Sequence, residues 1–481
     1  MRILMVSSEA VPFSKSGGLA DVASSLSIAL ATLGNDVRLV IPGYGLTDDT
    51  SFVEMPYRLE VSLGTEVETV RFKQLQYQQV TVYLVDHRWF SKRKGIYGDT
   101  SFTPYPDNLI RYTLFSKAAL ALCKELAWIP EILHCHDWTV GFVPALAQQD
   151  PEHTFKQTKS VFTIHNLAYQ GDFPRMDLLL AAMDIDSRFF SGKGIHKRAN
   201  MLKTGLETAH VLTTVSPTYA KEIQGELQGC GLETLLLSHA DNLYGILNGI
   251  DTEEWNPTTD GLLDLHFTAE DLTNKGKLKR IMQKRFGLPV EDTTPVVSMI
   301  SRIADQKGFV ELCQGSPCAL EQILTDLPVQ VLIIGTGDKA IEEKLTTLAE
   351  LHDNLSVNLI FSNEAAHLVE AGSDFFLMPS RYEPCGLNQM YSLRYGTIPI
   401  ARRTGGLADS IVDIDEEEGT GILFEQMSGN AIFTAVQRAV SLYHEDIKQI
   451  STIRKRGMAV DFSWINSAED YMKVYETIHK G

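Results

Sequence analysis

Short apolar runs that alternate with stretches of helical periodicity limit what this chain can fold into. Residues 2–6 form an apolar run and residues 7–16 a loop. From Leu19 the apolar positions fall at Leu19, Val22, Leu26, Ala29, Leu30 and Leu33, the spacing of one helix face, and Gly34 stops that helix. Val37-Arg38-Leu39-Val40-Ile41 is a second strand. Strand, helix and strand in this order predict a parallel pair joined by a right-handed crossover. The rhythm continues with apolar runs at 131–134, 160–164, 211–215 and 245–248, then at 296–301, 330–334, 375–379 and 398–401. Helical stretches lie between them, as at 109–126 and 386–396. The expected class is α/β with doubly wound, mostly parallel sheets. A chain of 481 residues is too long for one core, and a polar segment at 251–275 separates the two blocks of strands. The expected domains are 1–250 and 251–461, with a last helix in 462–481 returning to the first.

The unusual residues cluster just past strand ends. Glu9 and Lys15 follow the first strand, and His136-Asp137, His165-Asn166, Ser216, Asn248, Arg302, Gly335, Glu383 and Gly405-Gly406 follow others. Open parallel sheets bind ligands at that edge, which predicts a cleft where two such domains face each other. Lys plus Arg is 43 against 61 Asp plus Glu, a formal charge of −18. That balance repels nucleic acid and anionic membranes but not a neutral polymer. An anionic ligand then needs local cations. The apolar start is too short for a signal peptide, no run is long enough to span a bilayer, and the six cysteines lack zinc-type spacing. Free thiols and a cytoplasmic location are expected.

Lys15-Ser16-Gly17-Gly18-Leu19-Ala20-Asp21 places a glycine pair at a helix start, where amides favour phosphate; a tight turn with a solvated lysine is the plainer reading. Gly-Gly-Leu-Ala-Asp recurs at 405–409, after Arg402-Arg403-Thr404. Arg302 and Lys307 follow a buried strand and can converge on a diphosphate, or be unrelated surface cations. Glu383, in Pro379-Ser380-Arg381-Tyr382-Glu383-Pro384-Cys385-Gly386-Leu387, is a sugar-hydroxyl acceptor or merely a helix-dipole partner. Cys385 is more plausibly structural than nucleophilic. No metal is expected. Period 2 splits His134-Cys135-His136 across a strand, and no second ligand cluster accompanies it. The pairs Asp184/Asp186 and Asp413/Asp415 resemble metal-binding Asp-x-Asp, but the second lies in an acidic run, 413–418, read as a solvated loop. Lys275, Lys277, Lys279, Arg280, Lys284 and Arg285 are read as an exposed helix face.

Taken together, the motifs at 15–21, His136-Asp137-Trp138, 163–171, 214–219, 247–251, Ser301-Arg302, 306–308, 383–387, 402–409 and 461–464 resemble those of bacterial glycogen synthases and plant starch synthases, over nearly the whole chain. The resemblance implies the GT-B architecture of two Rossmann-like domains. The first, with the last helix, is on the acceptor side, and the second binds the nucleotide sugar. It implies transfer of glucose, with retention, from ADP-glucose to the 4-hydroxyl at the non-reducing end of an α-1,4-glucan, with no cofactor. Glu383, Arg302, Lys307, Asp137 and His165 are the implied catalytic residues. Lys15, Gly17, Gly18, Asn166, Asn248, Ser362, Cys385, Gly386, Leu387, Thr404, Gly405 and Gly406 are implied on the donor, and Glu9, Asp21, Trp138 and Tyr169 on the sugar and acceptor.

Two departures stand out. Related ADP-glucose enzymes often carry Gly-Tyr where Phe361-Ser362 stands, with the tyrosine stacked on adenine. Ser362 is read as occupying the tyrosine position, which leaves UDP-glucose open as a donor. Tyr391 stands where many retaining transferases have a second Glu. A nucleotide-sugar epimerase or hydrolase, a phosphorylase and a catalytically inert glucan-binding protein are the competing classes. A phosphorylase needs a pyridoxal-phosphate motif that is not seen, and an inert binder would lack the cations and Glu383 that are present.

Overall fold

The structure, a computed structural model, describes the chain apart from residues 101–102, 182, 184–186, 192–196 and 481. Asp184 and Asp186 therefore lie outside the described residues. The chain forms two compact units, Met1–Gly249 with Trp464–Gly481, and Ile250–Ser463.

The first unit is built on a nine-stranded sheet. Its strands are β1 (Arg2–Val6), β2 (Asp36–Pro42), β3 (Val53–Leu63), β4 (Glu66–Tyr77), β5 (Val80–Asp86), β6 (Ile132–His136), β7 (Lys159–Ile164), β8 (Val211–Thr214) and β9 (Leu243–Gly245), in the order β9-β8-β7-β6-β1-β2-β5-β4-β3. From β9 to β5 neighbouring strands run parallel, and β3 and β4 close the edge as an antiparallel pair. This edge was not anticipated. Successive residues of β3 alternate between exposed and covered, so no continuous apolar run marks it, unlike the strands buried on both faces.

Helix Gly18–Thr32 lies on this sheet, and helix Trp464–Lys480 packs beside it. Trp464, Ala468, Tyr471 and Tyr475 recur at spacings of four, three and four and join the core of Ile3, Met5, Val22, Leu26 and Leu30. The seam also has a polar lock. His134, fully buried, bonds Thr163 Oγ1 through Nε2 (2.5 Å) and the Tyr475 hydroxyl through Nδ1 (2.7 Å). Burial lowers His134 to about 3, so the ring is neutral.

The second unit carries a six-stranded, wholly parallel sheet: β10 (Val296–Ile300), β11 (Gln330–Ile334), β12 (Leu355–Asn358), β13 (Phe375–Met378), β14 (Ile398–Arg402) and β15 (Ile422–Phe424), in the order β12-β11-β10-β13-β14-β15. Two charge readings need correction here. In helix Thr273–Arg285, Lys275 and Lys279 are buried alongside Leu278 and Met282, because residues four apart share a face. Lys279 pairs with buried Asp374 at 2.7 Å. Asp413 is also buried rather than solvated; it accepts from Leu423 N (2.7 Å) and pairs with Arg438 at 2.8 Å.

Replacing Tyr475 by Phe leaves His134 Nδ1 buried without a partner. Chemical denaturation should show a loss of about 1–3 kcal/mol, and an unchanged midpoint would show that the hydroxyl does not hold the helix.

Candidate functional site

Each sheet has a switch point, where crossovers leave a central strand in opposite directions. In the first unit it lies between β1 and β6, in the second between β10 and β13. Ligands bind beyond the carboxyl ends of such strands, and the sequence-predicted residues gather there.

In the first unit, Glu9 follows β1 and is buried. Its carboxylate accepts from Ser16 N, Ser16 Oγ (2.8 Å), Gly17 N (3.3 Å) and the Tyr97 hydroxyl. It therefore shapes the Lys15–Gly18 turn from beneath, and burial raises its pKa against those bonds. Gly17 and Gly18 are exposed at the start of helix Gly18–Thr32, where no side chain caps the amides. Exposed Lys15 pairs with Asp21 at 2.8 Å.

Asp137 follows β6 with φ +62° and ψ −178°, a conformation that costs a residue with a side chain about 1–3 kcal/mol. It holds the Asp137 carboxylate against the amides of His165 (2.9 Å) and Asn166 at the end of β7. Burial pushes Asp137 up to about 7 despite these bonds. His165 bonds His136 (Nε2 to Nδ1, 3.0 Å) and is lowered by burial to about 3, so it is neutral. Asn166 Oδ1 accepts from Ala168 N at 3.1 Å. Trp138 packs on Tyr97, Tyr112 and Phe173. Gly171, at φ +64°, lies so close to this indole that a Cβ would come within 2.4 Å of it. Tyr169 is half exposed, and buried Asn248 leaves Oδ1 without a hydrogen-bond partner among the described residues.

In the second unit a cavity of about 210 Å³ is lined by Arg302, Lys307, Ser380, Glu383, Gly386 and Leu387, among others. Lys307 Nζ meets Glu383 Oε2 at 2.5 Å, and Ser380 Oγ donates to the same oxygen at 3.0 Å. Arg302 is exposed at the rim. Gly308 (φ +80°) ends the Lys307 turn, where a Cβ would lie 2.0 Å from the Pro379 carbonyl; this close approach holds the lysine and glutamate loops together.

Two expectations change. The second glycine pair was read as amides facing a phosphate. Instead Gly405 and Gly406 are buried after buried Thr404, and Gly406 N donates to the carbonyls of Glu383 (3.1 Å) and Pro384 (3.2 Å). Added Cβ atoms would lie 2.0 Å from Glu383 O and 2.1 Å from Cys385 O, so this pair forms a bed for the Glu383 loop. Cys385 itself is buried in that contact. Ser362 also differs from its reading: it is the N-cap of helix Asn363–Gly372, with Oγ accepting from Ala365 N at 3.2 Å. The aromatic beyond β12 is its neighbour Phe361, 99% exposed. The sequence marks Phe361 only as the neighbour of Ser362, and Tyr97 lies outside every motif, so neither carries a signal that singles it out. Tyr391 stacks on Trp255, ring centroids 3.7 Å apart and 11° between planes. Among the described residues no group of His, Cys, Asp or Glu is placed to hold a metal ion, and no helix is long and apolar enough to cross a membrane.

Asp137 yields a pH test. Its carboxyl is raised from the ordinary value near 4 to about 7, so the folded protein holds a proton that the unfolded chain has released between those pH values. This contribution lowers stability as pH rises from 4 to 7. Urea midpoints of the parent, compared with Asp137→Asn, should therefore fall across that window, with the difference levelling off above it; parallel curves would refute the assignment.

Residues 2–238 match the starch synthase catalytic domain, and residues 281–456 match group 1 glycosyl transferases. The chain is 41% identical over 480 residues to a glycogen synthase of Treponema denticola, covering 99% of this chain and 98% of that one. It is 42% identical over 485 residues to a glycogen synthase of Myxococcus xanthus, covering 99% of each. The catalytic domain of starch synthase IV from Arabidopsis thaliana, solved with ADP and acarbose, superposes with a TM-score of 0.89 at 30% identity, covering 100% of this chain and 99% of that one. A sucrose-phosphate synthase from Thermosynechococcus elongatus shares the fold, with a TM-score of 0.62 at 18% identity. With its GT-B fold of two Rossmann-like units, the chain belongs to the glycogen and starch synthase family of glycosyltransferases.

Proposed function

We propose that this protein extends an α-1,4-glucan in the cytoplasm, transferring glucose with retention at C1 from ADP-glucose to the non-reducing 4-hydroxyl and releasing ADP. The observation that carries this reading is the Lys307–Glu383 pair beside Arg302 in one cavity at the switch point of the second unit. The names of the full-length relatives and the ADP bound to the starch synthase support it. On this reading the second unit holds the nucleotide sugar and the first serves the acceptor.

As the C1–O bond breaks, negative charge grows on the diphosphate and positive charge on the sugar. Arg302 and Lys307 stabilise the diphosphate, the arginine as a planar fork and the lysine as a point charge. Glu383, held by Lys307 and Ser380, binds the transferred glucose and supports its developing positive charge. Gly386 and Leu387 shape the donor cavity, while Cys385, Thr404, Gly405 and Gly406 act from behind the Glu383 loop. In the first unit Lys15 and the Gly17-Gly18 helix start offer a cation and the Gly18 amide to the donor phosphates, and the buried Asn248 Oδ1 accepts from a donor hydroxyl. Neutral His165, with Asp137 and Asn166, hydrogen-bonds sugar hydroxyls and is not an acid. Glu9, Asp21, Trp138 and Tyr169 shape the acceptor side. The departing phosphate takes the proton of the attacking hydroxyl on the same face. Phe361, rather than Ser362, is the platform for the donor base.

Three measurements test this. Glycogen incubated with labelled ADP-glucose, and separately with UDP-glucose, should gain label, faster from ADP-glucose; donor consumed without label in polymer would point to an epimerase or hydrolase. Lys307→Ala should lower kcat about a hundredfold, the loss expected for one preorganised charge contact of about 3 kcal/mol, and turnover at the parental rate would exclude Lys307 from the diphosphate. Phe361→Ala should raise the donor KM about thirtyfold, from about 2 kcal/mol of base stacking, with kcat little changed; an unaltered KM would remove Phe361 from the donor site.

A further inference from the structure

The second unit has a larger cavity, of about 340 Å³, at the other edge of its sheet. Thr294, Asp374 and Thr397 precede β10, β13 and β14, whereas Arg302 and Glu383 lie beyond the opposite strand ends. Strands of four or five residues separate the two sites by about 15 Å. The wall includes Lys275, Gly276, Lys279, Asp374, Tyr443 and Arg454.

The charges on this wall do not balance. Asp374 accepts from Lys279 (2.7 Å), Arg454 (2.7 Å) and Val296 N (3.0 Å), and these cations hold its carboxyl below the ordinary range even though burial opposes them. Lys275 Nζ lies beside them and finds only neutral acceptors: the carbonyls of Glu370 (3.3 Å) and Ala371 (3.0 Å), and Thr397 Oγ1 (2.7 Å). The nearby carboxyl of Glu370, hydrogen-bonded by Ser392 at 2.7 Å, is pushed by burial up to about 8 and stays protonated at neutral pH. Arg280 and Asp292 neutralise each other at the rim. Three basic side chains, Lys275, Lys279 and Arg454, therefore face one ionised carboxylate, which pairs with only two of them, in a chain whose overall charge is −18. The ammonium of Lys275 is destabilised by burial and then by Arg454, and buried Arg454 Nε has no hydrogen-bond partner among the described residues. Buried charge is costly unless paired, and the room for a counter-ion is present.

We propose that this cavity binds a compact tetrahedral oxyanion, either free phosphate or the phosphate of a small monoester, between Lys275, Lys279 and Arg454. Such a ligand supplies the missing negative charge and an acceptor for Arg454 Nε. It binds independently of the donor site.

Gly276 gives a clean handle. A Cβ added there meets no atom within 4 Å, so a side chain at this position extends into open space at the cavity wall. Glu and Gln both favour a helix over glycine, so the two variants should fold alike and differ by one charge. Calorimetric titration of the full chain with inorganic phosphate, and separately with glycerol 2-phosphate, should show saturable binding, with a matching rise in Tm. Whichever probe binds more tightly identifies the free ion or the monoester as the natural class. Lys307→Ala, which weakens phosphate binding at the donor site, should leave this binding intact. Gly276→Glu should weaken it at least about tenfold, the effect of one like charge at that range, and Gly276→Gln should not. The proposal is overturned by absence of binding in the parent, by loss of binding in Lys307→Ala, or by equal behaviour of the Glu and Gln variants.

Discussion

In a parallel sheet every strand opens its carboxyl end on one edge, and where successive crossovers leave in opposite directions no helix covers that edge. Most of the chemistry of this chain follows from that constraint. β1 with β6 and β10 with β13 each leave such a gap, and Glu9, Asp137, Arg302 and Glu383 are the residues that follow those strands. The strands are apolar and buried because both faces are covered, so polar groups reach the site only in the first residues after each strand. Position along the chain and position in space are thereby tied together.

The loops then need close backbone approach, which accounts for the glycines better than phosphate binding alone does. Gly17-Gly18 and Gly405-Gly406 begin the same five-residue string, yet the first pair lies exposed above the Glu9 carboxylate and the second is buried under the Glu383 carbonyl. What differs is the group beneath the turn. In one copy a carboxylate takes the amides from below and leaves the outer surface free; in the other, main-chain carbonyls take the Gly406 amide itself. Sequence identity over five residues does not determine which partner an amide meets, since that partner comes from a strand far away in the chain.

The same reasoning explains which features were legible. Period and length revealed the buried strands and the helices, and motif density at strand ends revealed the residues around both switch points. The β3–β4 edge is not legible because its residues alternate in exposure, and Phe361 is not legible because its exposure is set by the loop beyond β12 and not by any local pattern. Lys275 and Lys279 were misread for a physical reason. A lysine is ordinarily exposed because its charge prefers water, and only the tertiary neighbours Asp374, Thr397 and the end of helix Asn363–Gly372 make burial tolerable.

That exception bears on how charge is arranged in an acidic chain. A donor with two phosphates needs cations that can exchange their partner when it arrives. On the proposed reading Lys307 does so: it is paired with Glu383 at 2.5 Å in the folded chain, and that pair opens as the lysine turns to the diphosphate and the carboxylate to the sugar. Around Asp374 the single carboxylate is shared by two cations, and Lys275 has none. The two arrangements sit at opposite ends of the same strands. In one the counter-charge is built into the loop and exchanges with substrate. In the other it is incomplete in the folded chain, and that difference separates a site made to turn over from one suited to holding an anion at rest.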